Sequence, residues 1–191
     1  MIHWFRHLPQ LHMNSLVWIP FIQNSWFREH FMKFAYSLQI VVFLVPGLMG
    51  GLFSGIPLYM LILIGIAVFI VHEILHIVTV YKKGDISLTF SGTFFWLNTN
   101  AILSKRRFLV FMSLPFIGLS VVPAFVALFV SGEMQTLLLF VSWINFILSA
   151  ADIINSFLIA IKPKGAVFCR GYYRIVQQGE QIVKIGNDAG V

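Results

Sequence analysis

Residues Ile56 to Tyr81 read I-P-L-Y-M-L-I-L-I-G-I-A-V-F-I-V-H-E-I-L-H-I-V-T-V-Y, and this stretch decides the fold. It exceeds the roughly 20 apolar residues that a helix needs to cross a hydrocarbon core, yet it contains His72, Glu73 and His76. On a helix, residues i and i+4 share a face. The imidazoles of His72 and His76 can therefore bind one Zn²⁺, and Glu73, beside the first, is placed to take a proton from a water that the metal activates. Ionisable side chains are expensive inside a membrane span and are functional there by default.

Outward from this stretch, three more segments are long and apolar enough to span: about Phe34 to Phe53, Phe108 to Val130, and about Leu137 to Ile161. The composition agrees with this reading. Of 191 residues 59% are hydrophobic and 10% charged, with 20 Phe, which excludes an ordinary soluble domain and a disordered chain alike. Gly47, Gly51 and Gly55, with Pro46, read as a close-packed kinked helix, as do Pro115, Gly118 and Pro123 in the third span.

The 13 basic residues fall on one side of such a bundle. Arg6, Arg28 and Lys33 precede span one, and Lys82, Lys83, Lys105, Arg106 and Arg107 separate spans two and three. Lys162, Lys164, Arg170, Arg174 and Lys184 follow span four. Basic loops stay in the cytoplasm, so both termini are expected there. The net charge of +6 then requires no nucleic-acid partner.

The fold expected is an all-α membrane protein with a bundle of about four transmembrane helices. Residues 1–33, with Trp4, Trp18, Trp26 and four histidines, form an N-terminal interfacial segment rather than a cleaved signal peptide. His3 and His7 share a helical spacing but lack a third ligand. Residues 34–161 form the membrane domain, 82–107 its cytoplasmic loop and 162–191 a cytoplasmic tail. Within the loop, Asp85 to Asn100 is rich in β-branched and aromatic residues around Ser91-Gly92, which predicts a short cytoplasmic β-hairpin. The segment around Cys169 is read as a further strand under the membrane. As the sole cysteine, Cys169 forms no internal disulfide.

A catalytic zinc needs a third protein ligand, with the fourth position left to water. No histidine follows His76, and the residue six positions beyond it is Lys82, which excludes a metzincin arrangement. Glu133 falls on the far side of the membrane, whereas Asp85, Glu180 and Asp188 lie in aqueous segments. Asp152 is the acidic residue of span four. His72 precedes Tyr81, and Asp152 precedes Ile161, by the same distance along the helix, roughly 14 Å at 1.5 Å per residue. The two therefore meet at one depth. Ser142, Asn145, Ser149, Asp152 and Ser156 form a polar stripe on one face of that span, in which Asn145, Ser149 and Ser156 are read as packing residues.

His72-Glu73-Ile74-Leu75-His76, the S-K-R-R-F run before a proline-bearing third span, and A-D-I-I-N in span four together resemble the bacterial putative zincin peptidase family of small membrane proteins. That family is in turn similar to intramembrane metalloproteases of the site-2 protease type. The resemblance, over about Phe34 to Arg174, implies zinc ligation by His72, His76 and Asp152, with Glu73 as general base. It also implies a multi-pass protein of the bacterial plasma membrane. Site-2 proteases usually carry an Asn-Pro-Asp-Gly type sequence at the aspartate. Here Ala151 precedes Asp152 and Ile153 follows it, so the usual helix breakers are absent.

The function expected is a zinc-dependent peptidase acting on a membrane-associated or cytoplasm-facing protein or peptide, with the lipid bilayer as its surroundings. Asn155 is the candidate hydrogen-bond donor to the oxyanion. The competing reading is a catalytically silent zinc-binding scaffold or transporter accessory, against which Glu73 argues because a structural site has no use for it. A di-iron oxygenase fails for want of ligands. Substrate identity and oligomeric state carry no signature in the sequence.

Overall fold

The computed structural model describes residues 1–4, 17–53, 55–91 and 94–176. The chain divides into two compact units. Met1–Arg28, Ile77–Val110 and Leu158–Val191 make one, which holds the strands; Glu29–His76 and Phe111–Phe157 make the other, which is helical.

Three helical stretches are long and apolar enough to cross a membrane. They are α1 (Ser25–Leu48), α2 (Leu58–Val80) and a composite stretch in which α3 (Lys105–Phe116) continues through a π-helical turn (Ile117–Val121), α4 (Val122–Val126) and a 3₁₀ turn (Ala127–Phe129). α5 (Gly132–Leu148) and α6 (Ala150–Ala160) qualify only as a pair, and they are bent by 65° at the break between them. The uninterrupted fourth span expected from the sequence is thus two helices. Leu58, Tyr59, Ile62, Leu63, Ile66 and Val78 of α2 are each more than half exposed, an apolar face of the kind that marks a membrane or protein contact.

α1 starts at Ser25 rather than near Phe34. Arg28, Glu29, His30 and Lys33 end the apolar stretch, but charge does not end a helix, and the Asn24 side chain accepts the Phe27 N–H at 2.9 Å as its cap. Gly50 and Gly51, at φ of 74° and 79°, stop the helix before Phe53. In the helical unit, the Trp143 indole donates to the Val42 carbonyl at 2.8 Å and Gln39 donates to that of Ile147 at 3.0 Å, which ties α1 to α5.

The other unit is more β-rich than a single hairpin. Among the described residues, β1 (Ile2–Trp4) runs parallel to β3 (Ile86–Ser91), which pairs antiparallel with β4 (Phe94–Thr99) in the expected hairpin. The tip of that hairpin lies outside the described residues. A second sheet, of order β2-β7-β6-β5, combines β2 (Ile19–Pro20), β5 (Leu103–Ser104), β6 (Ala166–Cys169) and β7 (Tyr172–Ile175). Where they are described, residues 1–33 form two short strands and the start of α1; His7 lies outside the described residues. Trp18, 1% exposed, packs against Val167 and Cys169, while Phe21 meets Phe108 and Phe168 edge-on. Burial pushes the Cys169 thiol up, leaving it protonated and unreactive.

Gly84 precedes β3 where the chain passes under Asn100. A Cβ there would lie 2.7 Å from Asn100 Oδ1 and 2.8 Å from the Ala101 nitrogen, and Asn100 Oδ1 already accepts the Asp85 N–H. Gly84→Ala is expected to destabilise the chain by about 1–3 kcal/mol. Gly47→Ala, with nothing within 4 Å, should not. Thermal unfolding of the two purified variants checks the contrast.

Candidate metal centre

His72 and His76 lie one turn apart on α2, 4% and 5% exposed, with ring centroids 4.9 Å apart. Their Nε2 atoms are separated by 3.2 Å. Asp152, in the first turn of α6, places Oδ2 at 3.2 Å from each of them. Its carboxylate also gains from the positive end of the α6 dipole. The three residues sequence reasoning named are thus brought together by α2 and α6 within the helical unit.

The opposite ring nitrogens fix the protons. His76 Nδ1 lies 2.7 Å from the Phe111 carbonyl oxygen, which can only accept, so that nitrogen carries the hydrogen. His72 Nδ1 lies 2.9 Å from Asn145 Oδ1. The Asn145 amide cannot be reversed, because its nitrogen donates to the Pro115 carbonyl at 3.0 Å. His72 Nδ1 therefore donates as well. In neutral imidazoles both Nε2 lone pairs then face the Asp152 carboxylate, and three acceptors at 3.2 Å repel one another unless a cation lies among them. One proton can serve one pair of them, whereas a divalent ion serves all three. The edge of a tetrahedron with zinc–ligand bonds of about 2.0–2.1 Å is about 3.4 Å, close to the separations seen. The donor set fits zinc.

Glu73 is within electrostatic reach of His76, His72 and Asp152, and its Oε2 is buried without a hydrogen-bond partner among the described residues. The Asn155 side chain, one turn beyond Asp152, makes no hydrogen bond to the cluster among the described residues. Asn145, by contrast, is completely buried and central. Its two amide hydrogens are shared among the Pro115 carbonyl, the Ser120 hydroxyl at 2.8 Å and, more weakly, that of Ser149 at 3.3 Å, and the Ser142 hydroxyl donates to the Ser120 carbonyl at 2.8 Å. Sequence reasoning read Asn145 and Ser149 as packing residues. The signal was their place on the Asp152 stripe, but it could not show which partner lay opposite.

Residues 65–167 match the family described as Putative zincin peptidase, a stretch that includes His72, Glu73, His76, Asn145 and Asp152. The chain belongs to that family. Membership implies zinc as the metal and places a peptidase-type centre in the same stretch that brings the ligand atoms together. No curated protein and no solved structure matches the chain.

Proposed function

We propose that this chain is a membrane-embedded zinc metallopeptidase, similar to the site-2 protease type, that hydrolyses peptide bonds of a membrane-associated or cytoplasm-facing protein. The observation that carries this reading is the convergence of His72 Nε2, His76 Nε2 and Asp152 Oδ2 beside a buried Glu73 carboxylate oxygen that has no hydrogen-bond partner among the described residues. Zinc, when bound, supplies Lewis acidity that activates water and polarises a carbonyl. Glu73 accepts the proton of the attacking water and passes it to the leaving amine. Asn155 donates to the oxyanion that develops on the scissile carbonyl. Burial of His72 and His76 excludes bulk water and strengthens each of these interactions.

Embedding is supported by the exposed apolar faces of α2 and the composite third stretch, and the bacterial plasma membrane by the one-sided basic residues. Both termini are then cytoplasmic. The reading is tested by metal analysis of the purified full chain together with comparative proteomics of membrane-protein fragments from cells with and without it. About one zinc per chain is expected, with fragments that depend on the chain; neither result would leave the peptidase reading standing if reversed. The orientation has its own test. In a Cys169→Ser background, Ser131→Cys is expected to react with an impermeant thiol reagent added to intact cells, and Lys164→Cys is not. Outside labelling of Lys164→Cys alone would invert the topology.

A further inference from the structure

Both imidazoles are held from behind by one short segment of chain. Pro115 lies inside α3, completely buried, and has no N–H. In a regular helix the carbonyl four residues earlier, that of Phe111, would accept from position 115. Here that carbonyl accepts the His76 Nδ1–H at 2.7 Å instead. The carbonyl of Pro115 itself accepts from the Asn145 amide, which turns Asn145 Oδ1 toward His72 Nδ1. One proline thus releases an acceptor for the second histidine and anchors the asparagine that meets the first.

We infer that Pro115 and Asn145 are positioning residues that hold His72 and His76 with hydrogen on Nδ1, so that only the Nε2 lone pairs face the metal. The inference rests on the metal-centre part of the proposed function and is independent of peptidase activity. Partners of this kind behind a ligating histidine set its tautomer and ring direction, and their loss costs about 10–100-fold in metal affinity. Ser120 and Ser149 complete the acceptor set of the Asn145 amide and keep it from rotating.

The test uses the full chain in detergent. Zinc affinity is measured by competition with a chelator, and the hydrogen-bonded Nδ1–H protons of the zinc-loaded protein are followed by nuclear magnetic resonance. Wild type is expected to show two slowly exchanging imidazole protons. Asn145→Leu should lose the His72 proton signal and bind zinc about 10–100-fold more weakly. Asn145→Asp keeps an acceptor for His72 Nδ1 but sets its second oxygen against the Pro115 carbonyl, so the His72 proton signal should return while zinc affinity recovers in part. Pro115→Ala is the less intuitive case. It returns an N–H to the helix and so favours helical structure, yet the restored N–H competes with His76 for the Phe111 carbonyl. Zinc affinity should fall and the His76 proton should exchange faster.

Wild-type affinity with both protons retained in Pro115→Ala or Asn145→Leu overturns the inference. Equal losses in Asn145→Asp and Asn145→Leu overturn the acceptor role of Asn145. Should Asn145→Leu fail to fold, Pro115→Ala and Asn145→Asp still decide. A wild type that binds no zinc removes the metal centre and this inference together, whereas zinc-loaded variants that match wild type remove the inference alone.

Discussion

Glu73→Gln is expected to keep about one zinc per chain while peptide-bond hydrolysis falls by about 10²- to 10⁴-fold, roughly 3–5 kcal/mol of barrier. The substitution preserves size and shape and removes only the carboxylate that accepts a proton. Glu73 is no part of the 3.2 Å triangle of donor atoms, so the ligand set should survive. Its buried Oε2 has no hydrogen bond to lose among the described residues, so folding should be little affected. Zinc content and membrane-protein fragments in cells expressing wild type or Glu73→Gln are the paired readout. Retained fragments and a retained phenotype would favour the zinc-binding scaffold over the enzyme.

Asp152→Ala is expected to lower zinc affinity by more than the roughly 100-fold that loss of an outer partner produces. Asp152 supplies the anionic member of the donor set, and its Oδ2 is the atom that closes the triangle with both imidazoles. Two neutral nitrogens from one helix face leave a divalent ion short of both charge and coordination. Isothermal titration of wild type, Asn145→Leu and Asp152→Ala should rank them in that order of increasing damage, with the aspartate variant weakest. Zinc content unchanged in Asp152→Ala would remove it from the ligand set.

The two helical features most visible in the sequence were those with a local cause. The spacing of His72 and His76 places them on one face of any helix, and Asp152 stands out as the acid of its apolar segment. The β3–β4 hairpin was legible because its β-branched and aromatic residues lie side by side in the chain on either side of Ser91-Gly92. What was not legible depends on distant partners. Ile2 pairs with Ile86 and Ile19 with Tyr173, and strands of two or three residues carry no pattern of their own. The break at Ser149 falls among Leu148, Ala150 and Ala151, with neither proline nor glycine to announce it. The role of Asn145 required knowing that Pro115 and His72 would lie on either side of it.

The π-helical turn at Ile117–Val121 has a consequence for how this stretch tolerates length change. A turn of this kind holds more residues than the α-helical turn it replaces. A one-residue deletion within it is therefore expected to be absorbed as ordinary α-helix. Residues beyond the turn would keep their faces relative to Phe111 and Pro115, because the π-turn spreads one extra residue over nearly the same sweep. Within the turn, however, a deletion ahead of Ser120 would re-aim that residue and its carbonyl relative to Asn145 and Ser142, although no side chain of the donor triangle had been altered. The extra residue between Pro115 and Ser120 is thus part of what supports this centre, beside the identities of the residues around it.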